Sequence, residues 1–145
     1  LNLTKPIAEA LERAVARGVK VTIIARIDLK GDLGGKVLSG LNKMFVQRYA
    51  ERIEIYEYTV PRLLMHAKIL MIDERLVTVS SVNLNHRSFI HDSENGIIVL
   101  DRGFYRRMKK VFDAYLAQSV RIGGDVSIPL RYRLLFSSPT VRGAF

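Results

Sequence analysis

The alternation of apolar and polar residues predicts a chain in which helices and strands alternate. Apolar residues recur at helical spacing after Thr4, a candidate N-cap, and again over residues 37–49. Gly18 provides an end for the first helix, and the β-branched run at residues 19–26 then predicts a buried strand. The glycine-rich polar segment at residues 28–35 predicts a loop that leads into the second helix.

Shorter apolar runs continue the alternation in the second half of the chain. They predict a strand with one solvated face at residues 52–58, a central apolar strand at residues 63–72 and its hairpin partner at residues 76–79. A polar loop at residues 83–93 and a short buried strand at residues 96–100 follow. Asp101 then caps a predicted amphipathic helix whose exposed side carries Arg102, Arg106, Arg107, Lys109 and Lys110. These elements predict an α/β fold, a mixed sheet with helices on both faces.

The composition changes after Gly123 and Gly124, so we expect one domain over residues 1–122 and a tail over residues 123–145. In the tail, apolar residues alternate with arginines, which leaves two readings open: an extra edge strand or a segment at a membrane interface. A chain that starts at Leu1 with a helix, a glycine and a strand resembles half of a βαβ unit. We therefore expect it to be a C-terminal part of a longer polypeptide whose N-terminal strands are missing.

Charge and composition narrow the classes of partner. The 23 Lys and Arg residues exceed the 14 Asp and Glu residues, which gives a net charge of +9. Such an excess favours an anionic partner: nucleic acid, an acidic bilayer surface or a phosphorylated substrate. The absence of cysteine excludes disulfides and thiolate metal sites. No apolar run reaches the roughly 18 residues that a membrane-spanning helix needs.

The candidate chemistry is concentrated around the predicted hairpin. His66 and Lys68 are two residues apart on a predicted strand, so their side chains leave the same face, whereas Asp73 points the other way and is expected to be a structural anchor. Ser81 and Asn83 follow the return strand, again two residues apart. Pairing of the two strands would therefore bring the side chains of four of these residues, all but Asp73, into one pocket.

These residue types suit phosphate chemistry. An ammonium group neutralises non-bridging oxygens, amide and hydroxyl groups donate hydrogen bonds, and an imidazole attacks phosphorus or moves a proton. Glu94 follows in a loop, where its carboxylate could fix the tautomer of His66. No Asp, His and Glu cluster with metal-ligand spacing is present, so we expect a metal-independent site without a cofactor. His86, His91 and Arg87 lie nearby but are more often solvated in such loops.

The chain resembles the phospholipase D superfamily, whose signature is HxKxxxxD followed by GSxxN and a downstream acidic residue. His66, Lys68 and Asp73 match the first part, Ser81 and Asn83 the second, and Glu94 the third. In place of the glycine that precedes the serine in the family pattern, this chain has Ser80. The likeness is widest to the bacterial cardiolipin synthase branch and runs over residues 4–116, which makes residues 1–122 one catalytic half-domain.

The resemblance implies a two-step transfer through a phosphohistidine intermediate. One histidine attacks phosphorus while a second, from another copy of the motif, protonates the leaving alcohol. This chain holds one copy, so the partner is either a missing half of the same polypeptide or a second subunit. As a C-terminal half, it would use His66 first as general acid and then as base, with the role of nucleophile as the alternative.

Three functions remain open from the sequence. The first is a phosphatidyltransferase or phospholipase D that acts on glycerophospholipids at an anionic membrane surface, as in bacterial cardiolipin synthases. The second is a nuclease that uses the same site on DNA phosphodiesters, because the chemistry does not separate the two substrates. The third is a catalytically idle half that serves as an interface. The intact motif disfavours the third, and the apolar, arginine-bearing tail favours the first.

Overall fold

The computed structural model describes residues 1, 3–29, 33–61 and 65–135 of the chain. Its helices are α1 (Lys5–Ala16), α2 (Leu33–Tyr49), α3 (His86–Ile90), α4 (Arg102–Leu116) and α5 (Leu130–Leu135). Its strands are β1 (Thr22–Ala25), β2 (Glu54–Tyr58), β3 (Lys68–Ile72), β4 (Leu76–Ser80), β5 (Gly96–Leu100) and β6 (Ser119–Arg121). The predicted α/β class is confirmed.

The first sheet joins distant parts of the chain in the order β1-β2-β6. β1 pairs with β2 in parallel and β6 pairs with β2 in antiparallel, so the sheet is mixed as predicted. Ile55 of β2 is 1% exposed and packs in a core with Phe45, Val46 and Tyr49 of α2. Residues of α1 pack against the same core. Hydrophobic burial on this face therefore holds both helices to the sheet.

The opposite face of the first sheet is covered by α4. Tyr58 of β2, which points away from the Ile55 side, meets Tyr115 of α4 edge to face, with 5.5 Å between the ring centroids. Helix α4 also contacts β4 and β6. Asp101 caps this helix, and its carboxylate accepts a hydrogen bond from the backbone N–H of Phe104 at 2.5 Å. Helices on both faces are thus confirmed.

The second sheet has the order β3-β4-β5 and is antiparallel throughout. Lys68 lies opposite Ser80, which in turn lies opposite Gly96. The hairpin between β3 and β4 turns at Asp73 and Glu74, both with positive φ (49° and 56°), and the N–H of Arg75 donates to the carbonyl of Ile72 at 3.1 Å. This is the geometry that hairpin turns favour, although neither residue is glycine.

One face of the second sheet is apolar and open to solvent. Residues paired across antiparallel strands share a face, so the open face carries Leu70 (51% exposed), Ile72 (42%), Ile98 (73%) and Leu100 (63%). We refer to these four side chains as the open apolar face. Val77, on the other side of β4, is fully buried, in agreement with the packing of α4 there. Lys68 lies on the same side as the open apolar face.

Several sequence predictions need correction. Residues 28–35 were expected to be a loop, but α2 begins at Leu33, because a start at that point lets its apolar side reach the core. The expected loop at residues 83–93 contains α3, a helix too short for its periodicity to be detected. β5 was expected to be buried, yet Ile97, Ile98 and Leu100 are more than half exposed, because β5 is an edge strand of the second sheet. The short strand β6 was not predicted.

Two further differences concern element ends. The strand predicted at residues 63–72 begins only at Lys68, and residues 62–64 lie outside the described part of the chain. In the tail, Leu130–Leu135 forms a helix, so the alternative of an edge strand does not hold there. Residues 136–145 lie outside the described part. No helix in the described ranges is long and apolar enough to cross a membrane.

The pair of Ser80 and Gly96 fixes how closely β4 and β5 approach. A Cβ added at Gly96 would lie 2.5 Å from Cβ of Ser80 and 3.0 Å from the carbonyl oxygen of Val79. Side chains do not tolerate such distances, so a residue larger than glycine would push the strands apart. Position 80 holds a serine where the pattern described above has a glycine, and the glycine of this residue pair is instead Gly96, opposite Ser80.

We expect Gly96→Ala to lower the free energy of unfolding by about 1–3 kcal/mol, the usual cost of overpacking. The cost should be smaller in a Ser80→Gly background, because that change removes the nearest of the atoms that the added Cβ would meet, Cβ of Ser80. Urea unfolding of the four members of this cycle measures the coupling. Gly124→Ala is the matched control, since its added Cβ meets the nearest atom at 3.6 Å. Equal costs in both backgrounds would contradict the steric account.

Candidate active site

His66 and Lys68 lie where the chain enters β3. His66 is exposed and precedes the strand by two residues, and Lys68 is the first residue of the strand and half-buried. The ammonium group of Lys68 donates a hydrogen bond to the backbone carbonyl oxygen of His66 at 2.8 Å. This bond keeps the lysine side chain next to the histidine. The contact is to the backbone of His66, and the strand on which both residues were predicted begins only at Lys68.

The partly buried environment of Lys68 disfavours the charged form of its side chain. Burial lowers the pKa of the Lys68 ammonium below its ordinary value, and the negative charge of Glu94 acts in the opposite direction. A half-buried lysine of this kind gains more from a bound anion than a fully solvated one, because an anion replaces the water that the ammonium has lost.

Ser81 and Glu94 meet beside this pair. Ser81 directly follows β4, and its hydroxyl donates a hydrogen bond to the carboxylate of Glu94. The hydroxyl oxygen of Ser81 also accepts from the N–H of Asn95 at 3.0 Å, and the N–H of Ser81 donates to the carbonyl of Asn95 at 2.9 Å. The pairing of β4 with β5 thus extends by one further residue pair, Ser81 with Asn95. This pair brings the side chains of Ser81 and Glu94 together.

Hydrogen bonds hold Glu94 in its charged form. Hydroxyl donors on Ser81 and, next in effect, Ser88 lower the pKa of the Glu94 carboxyl, whereas partial burial and the neighbouring charge of Asp92 raise it. The positive charge of Lys68 lowers it further. Hydrogen bonds to a carboxylate favour ionisation, so Glu94 is a fixed anion beside Lys68.

Asn83 lies in the loop after β4, and its side chain is exposed. Its backbone N–H donates to the hydroxyl oxygen of Ser88 at 3.3 Å. Ser88 is a residue that the sequence pattern did not single out: it lies in α3, is 5% exposed, and fixes the Asn83 loop through this hydrogen bond. Its only signal in the sequence is its position three residues after Asn85, a cap spacing.

Asp73 does not join this cluster. It lies in the turn at the far end of β3, roughly 15 Å from Lys68 for a strand of this length. Its exposed side chain has no hydrogen-bond partner among the residues that the structure describes. This placement agrees with the expectation of a structural role, since aspartate tolerates the left-handed backbone better than most residues.

The other polar residues near the site have local partners. Arg87 forms an ion pair with Asp92, with 3.1 Å between nitrogen and oxygen, and the rings of His86 and His91 lie 5.7 Å apart on exposed positions. Within the described ranges, Glu94 forms no hydrogen bond with His66, and its carboxylate accepts from serine hydroxyls instead. No group of three or more metal-ligating side chains is found there either.

The lowered pKa of Glu94 predicts a specific pH dependence of stability. Because the folded pKa lies below the unfolded one, ionised Glu94 stabilises the fold above the unfolded pKa, and this contribution is lost as pH falls through the folded pKa. We expect the unfolding free energy of Glu94→Gln to fall less steeply than that of wild type from about pH 5 to pH 3. Urea titrations at several pH values measure this, with Glu51→Gln in an exposed turn as control. Parallel pH profiles would contradict the assignment.

Comparison with known proteins matches most of the chain to a described family. The family "Cardiolipin synthase, PLD-like domain" matches residues 2–116. Cardiolipin synthase A of Yersinia pseudotuberculosis serotype O:3 (strain YPIII) is 28% identical over 117 residues, which are 81% of this chain and 23% of that protein. Cardiolipin synthase A of Yersinia pestis is 28% identical over 116 residues, which are 80% of this chain and 23% of that protein. The chain thus spans less than a quarter of the length of these relatives.

Solved structures with low sequence identity share the fold. Phosphatidylserine synthase from Haemophilus influenzae Rd KW20 superposes with a TM-score of 0.77 at 15% identity, over 94% of this chain and 36% of that chain. Nuc, a phospholipase D family member from Salmonella typhimurium, superposes with a TM-score of 0.60 at 17% identity, over 83% of this chain and 76% of that chain. With the family match over residues 2–116, these findings identify the chain as a member of the phospholipase D superfamily with a cardiolipin synthase PLD-like domain.

Proposed function

We propose that the chain is one catalytic half of a phospholipase D-type phosphatidyltransferase that acts on glycerophospholipids through a phosphohistidine intermediate. The observation that carries the proposal is the gathering of Lys68 and Ser81 at the carboxylate of Glu94 at one end of the second sheet, with His66 two residues before Lys68 and its backbone carbonyl bonded to the lysine ammonium. Membership of a family described by cardiolipin synthase supports the same reaction class.

Each residue has a role that its chemistry suits. The ammonium group of Lys68 neutralises a non-bridging phosphate oxygen, and this charge grows in importance as the transition state forms. The exposed amide of Asn83 donates a further hydrogen bond to the phosphate. Glu94 keeps Ser81 in place and opposes deprotonation of Lys68. The chain thus supplies charge stabilisation without a metal ion or a cofactor.

His66 moves the proton in the proposed mechanism. In the first step, a histidine of the second motif attacks phosphorus, the phosphorus–oxygen bond to the leaving alcohol breaks, and His66 protonates the departing oxygen. In the second step, neutral His66 takes the proton of the acceptor alcohol, whose oxygen displaces the phosphohistidine nitrogen. The reversed assignment, with His66 as nucleophile, follows the same atom balance.

The mechanism requires a second histidine, and the open apolar face supports a partner half. Leu70, Ile72, Ile98 and Leu100 expose a contiguous apolar surface on the side of Lys68, which is a common mark of an interface. The fold of this chain covers 36% of the phosphatidylserine synthase chain from Haemophilus influenzae and 76% of the Nuc chain from Salmonella typhimurium. Both a larger polypeptide and a pair of chains of this size are therefore compatible arrangements.

The surface favours a lipid substrate over DNA. Arginine and lysine side chains cover the exposed side of α4, and the net charge of +9 favours an anionic surface of either kind. In α5, Leu130 (70% exposed) and Leu134 (64%) are one turn apart and therefore share a helix side, beside the exposed Arg133. Exposed leucines beside a cation suit the boundary between headgroups and acyl chains of a bilayer.

We expect His66→Ala in the full-length protein to reduce turnover by more than about a hundredfold, because no neighbouring group replaces a proton donor of this kind. Steady-state transfer assays measure the loss, and circular dichroism checks that the fold is intact. His91→Ala is the matched control, since that exposed histidine lies outside the cluster. Retention of activity within about tenfold of wild type would remove His66 from the mechanism.

The substrate class is tested by incubating the full-length protein with phosphatidylglycerol vesicles and, separately, with single- and double-stranded DNA, each with EDTA present. We expect release or transfer of a lipid headgroup and intact DNA, because the exposed leucines of α5 favour a bilayer and the site needs no metal.

Three results would contradict this expectation. Efficient DNA cleavage with intact lipids would identify a nuclease. Activity that is lost on chelation and restored by a divalent ion would overturn the metal-independent mechanism. Turnover by the isolated chain under conditions where size-exclusion chromatography shows a monomer would overturn the need for a partner half.

A further inference from the structure

The loop that carries Asn83 has little buried surface to hold it in place. Of residues 81–90, all of which the structure describes, Ser88 alone is buried, and the side chains of Asn83, Leu84 and Phe89 are exposed. Hydrophobic burial therefore contributes little to the position of this loop. Hydrogen bonds to other segments of the chain determine where it lies.

Two backbone hydrogen bonds tie this loop to other segments, one on each side of Asn83. Before it, the N–H of Ser81 donates to the carbonyl oxygen of Asn95 at 2.9 Å. After it, the carbonyl oxygen of Leu84 accepts from the N–H of Thr4 at 3.0 Å. Among the hydrogen bonds of the described residues, the one from Thr4 is the bond that reaches the loop from an element outside the second sheet.

Thr4 is suited to this contact because its own helix does not use its N–H. It is the N-cap of α1 and has extended backbone geometry (φ −61°, ψ 154°), so its N–H lies outside the helical hydrogen-bond pattern. Its carbonyl oxygen accepts from the N–H of Ala8 at 2.9 Å, the first bond of the helix. Its side chain makes no capping hydrogen bond. The backbone of Thr4 therefore connects the helix with the loop.

Helix α1 is itself fixed to the rest of the fold. Its apolar residues pack against the core of the first sheet. The carboxylate of Glu12 accepts hydrogen bonds from the guanidinium of Arg48 at 2.7 Å and from the hydroxyl of Tyr49 at 2.9 Å, and both donors belong to α2. Thr4 thus lies at the end of an anchored helix, and the loop that it contacts takes its position from that helix.

We infer that Thr4 is a positioning residue whose backbone N–H holds the carbonyl of Leu84 and thereby keeps the side chain of Asn83 in place for the phosphate of the substrate. This inference rests on the proposed function, in which the Asn83 amide donates to that phosphate. A preorganised donor stabilises the transition state because no reorganisation is needed during the reaction. Small displacements of such groups cost a large part of the rate.

Two substitutions at this position separate the N–H from the side chain. Thr4→Pro removes the N–H, and the proline ring fixes φ near about −65°, close to the −61° that Thr4 already adopts. Thr4→Ala removes the hydroxyl and methyl groups and keeps the N–H. If Thr4 served only the stability of α1, the melting temperature would change while the loop and the rate constants of the folded enzyme stayed the same.

The test uses the full-length protein. Hydrogen–deuterium exchange, measured by mass spectrometry on the peptide that contains residues 83–90, reports the opening of the loop. We expect exchange to be at least about threefold faster in Thr4→Pro than in wild type and unchanged in Thr4→Ala. With phosphatidylglycerol vesicles, we expect kcat of Thr4→Pro to fall by about fivefold or more and KM to stay within about twofold.

A double-mutant cycle with Asn83→Ala shows whether Thr4 acts through Asn83. Without the amide there is nothing left to position, so Thr4→Pro should lower kcat of the Asn83→Ala enzyme by less than about twofold. An equal loss of kcat in both backgrounds overturns the inference. Loop exchange or kcat that is the same in Thr4→Pro and Thr4→Ala overturns it as well.

Glu12→Ala covers the case in which Thr4→Pro does not fold, because it removes two hydrogen bonds between α1 and α2 and leaves the N–H of Thr4 intact. It should accelerate exchange in residues 83–90. Glu9→Ala is the matched control, since it removes an exposed ion pair with Lys5 inside α1. Equal exchange in the two glutamate variants contradicts the inference. If wild type turns over no phospholipid, the proposed function fails, and exchange in the Thr4 variants still decides whether α1 holds the loop.

Discussion

The register of β4 between its two neighbours is the constraint on which the site depends. Ser80 lies opposite Lys68 on one side and Gly96 on the other, and this row of three ends the second sheet. One step beyond it, Ser81 pairs with Asn95, and the hydroxyl of Ser81 donates a hydrogen bond to the carboxylate of Glu94. Because side chains alternate along a strand, a shift of one residue would carry Lys68 to the covered face and separate it from Glu94. The small residue at position 96 is part of this register, since the strands approach too closely there for any side chain.

Much of this arrangement could be predicted from local patterns. The short polar break at residues 73–75 predicted the hairpin between β3 and β4. The spacing of two between His66 and Lys68 assumed a strand that in the structure begins only at Lys68, and Glu94, expected to contact His66, accepts a hydrogen bond from Ser81 and acts on the charge of Lys68. Each of these predictions uses a strand period that acts over a few residues. Asp73 was expected to face away from the site, and the structure places it beyond the strand altogether.

The remaining features depend on contacts between distant segments or on very short elements. Ser88 was not recognised because α3 has only five residues, too few for a helical period, and its hydroxyl bonds to the backbone N–H of Asn83 in the preceding loop. β5 was expected to be buried because its residues are apolar, yet an apolar pattern indicates that a face will be covered without saying by what. Alternating leucines and arginines left an edge strand as one of two alternatives for the tail, and residues 130–135 are helical, since those residue types also favour helices.

The position of Asp73 changes how the sequence motif of this family should be interpreted. His66 and Lys68 lie at one end of β3, and Asp73 begins the turn at the other end, where two successive residues adopt left-handed backbone geometry. The four residues between lysine and aspartate are then the remainder of one strand, and the spacing of the motif records the length of that strand. In a related chain with one residue more or fewer in β3 and the same change in β4, the hairpin would differ in length while the pairing of Lys68 with Ser80 stayed the same. Searches that demand the full spacing would reject such a chain, although this end of the hairpin would be unchanged.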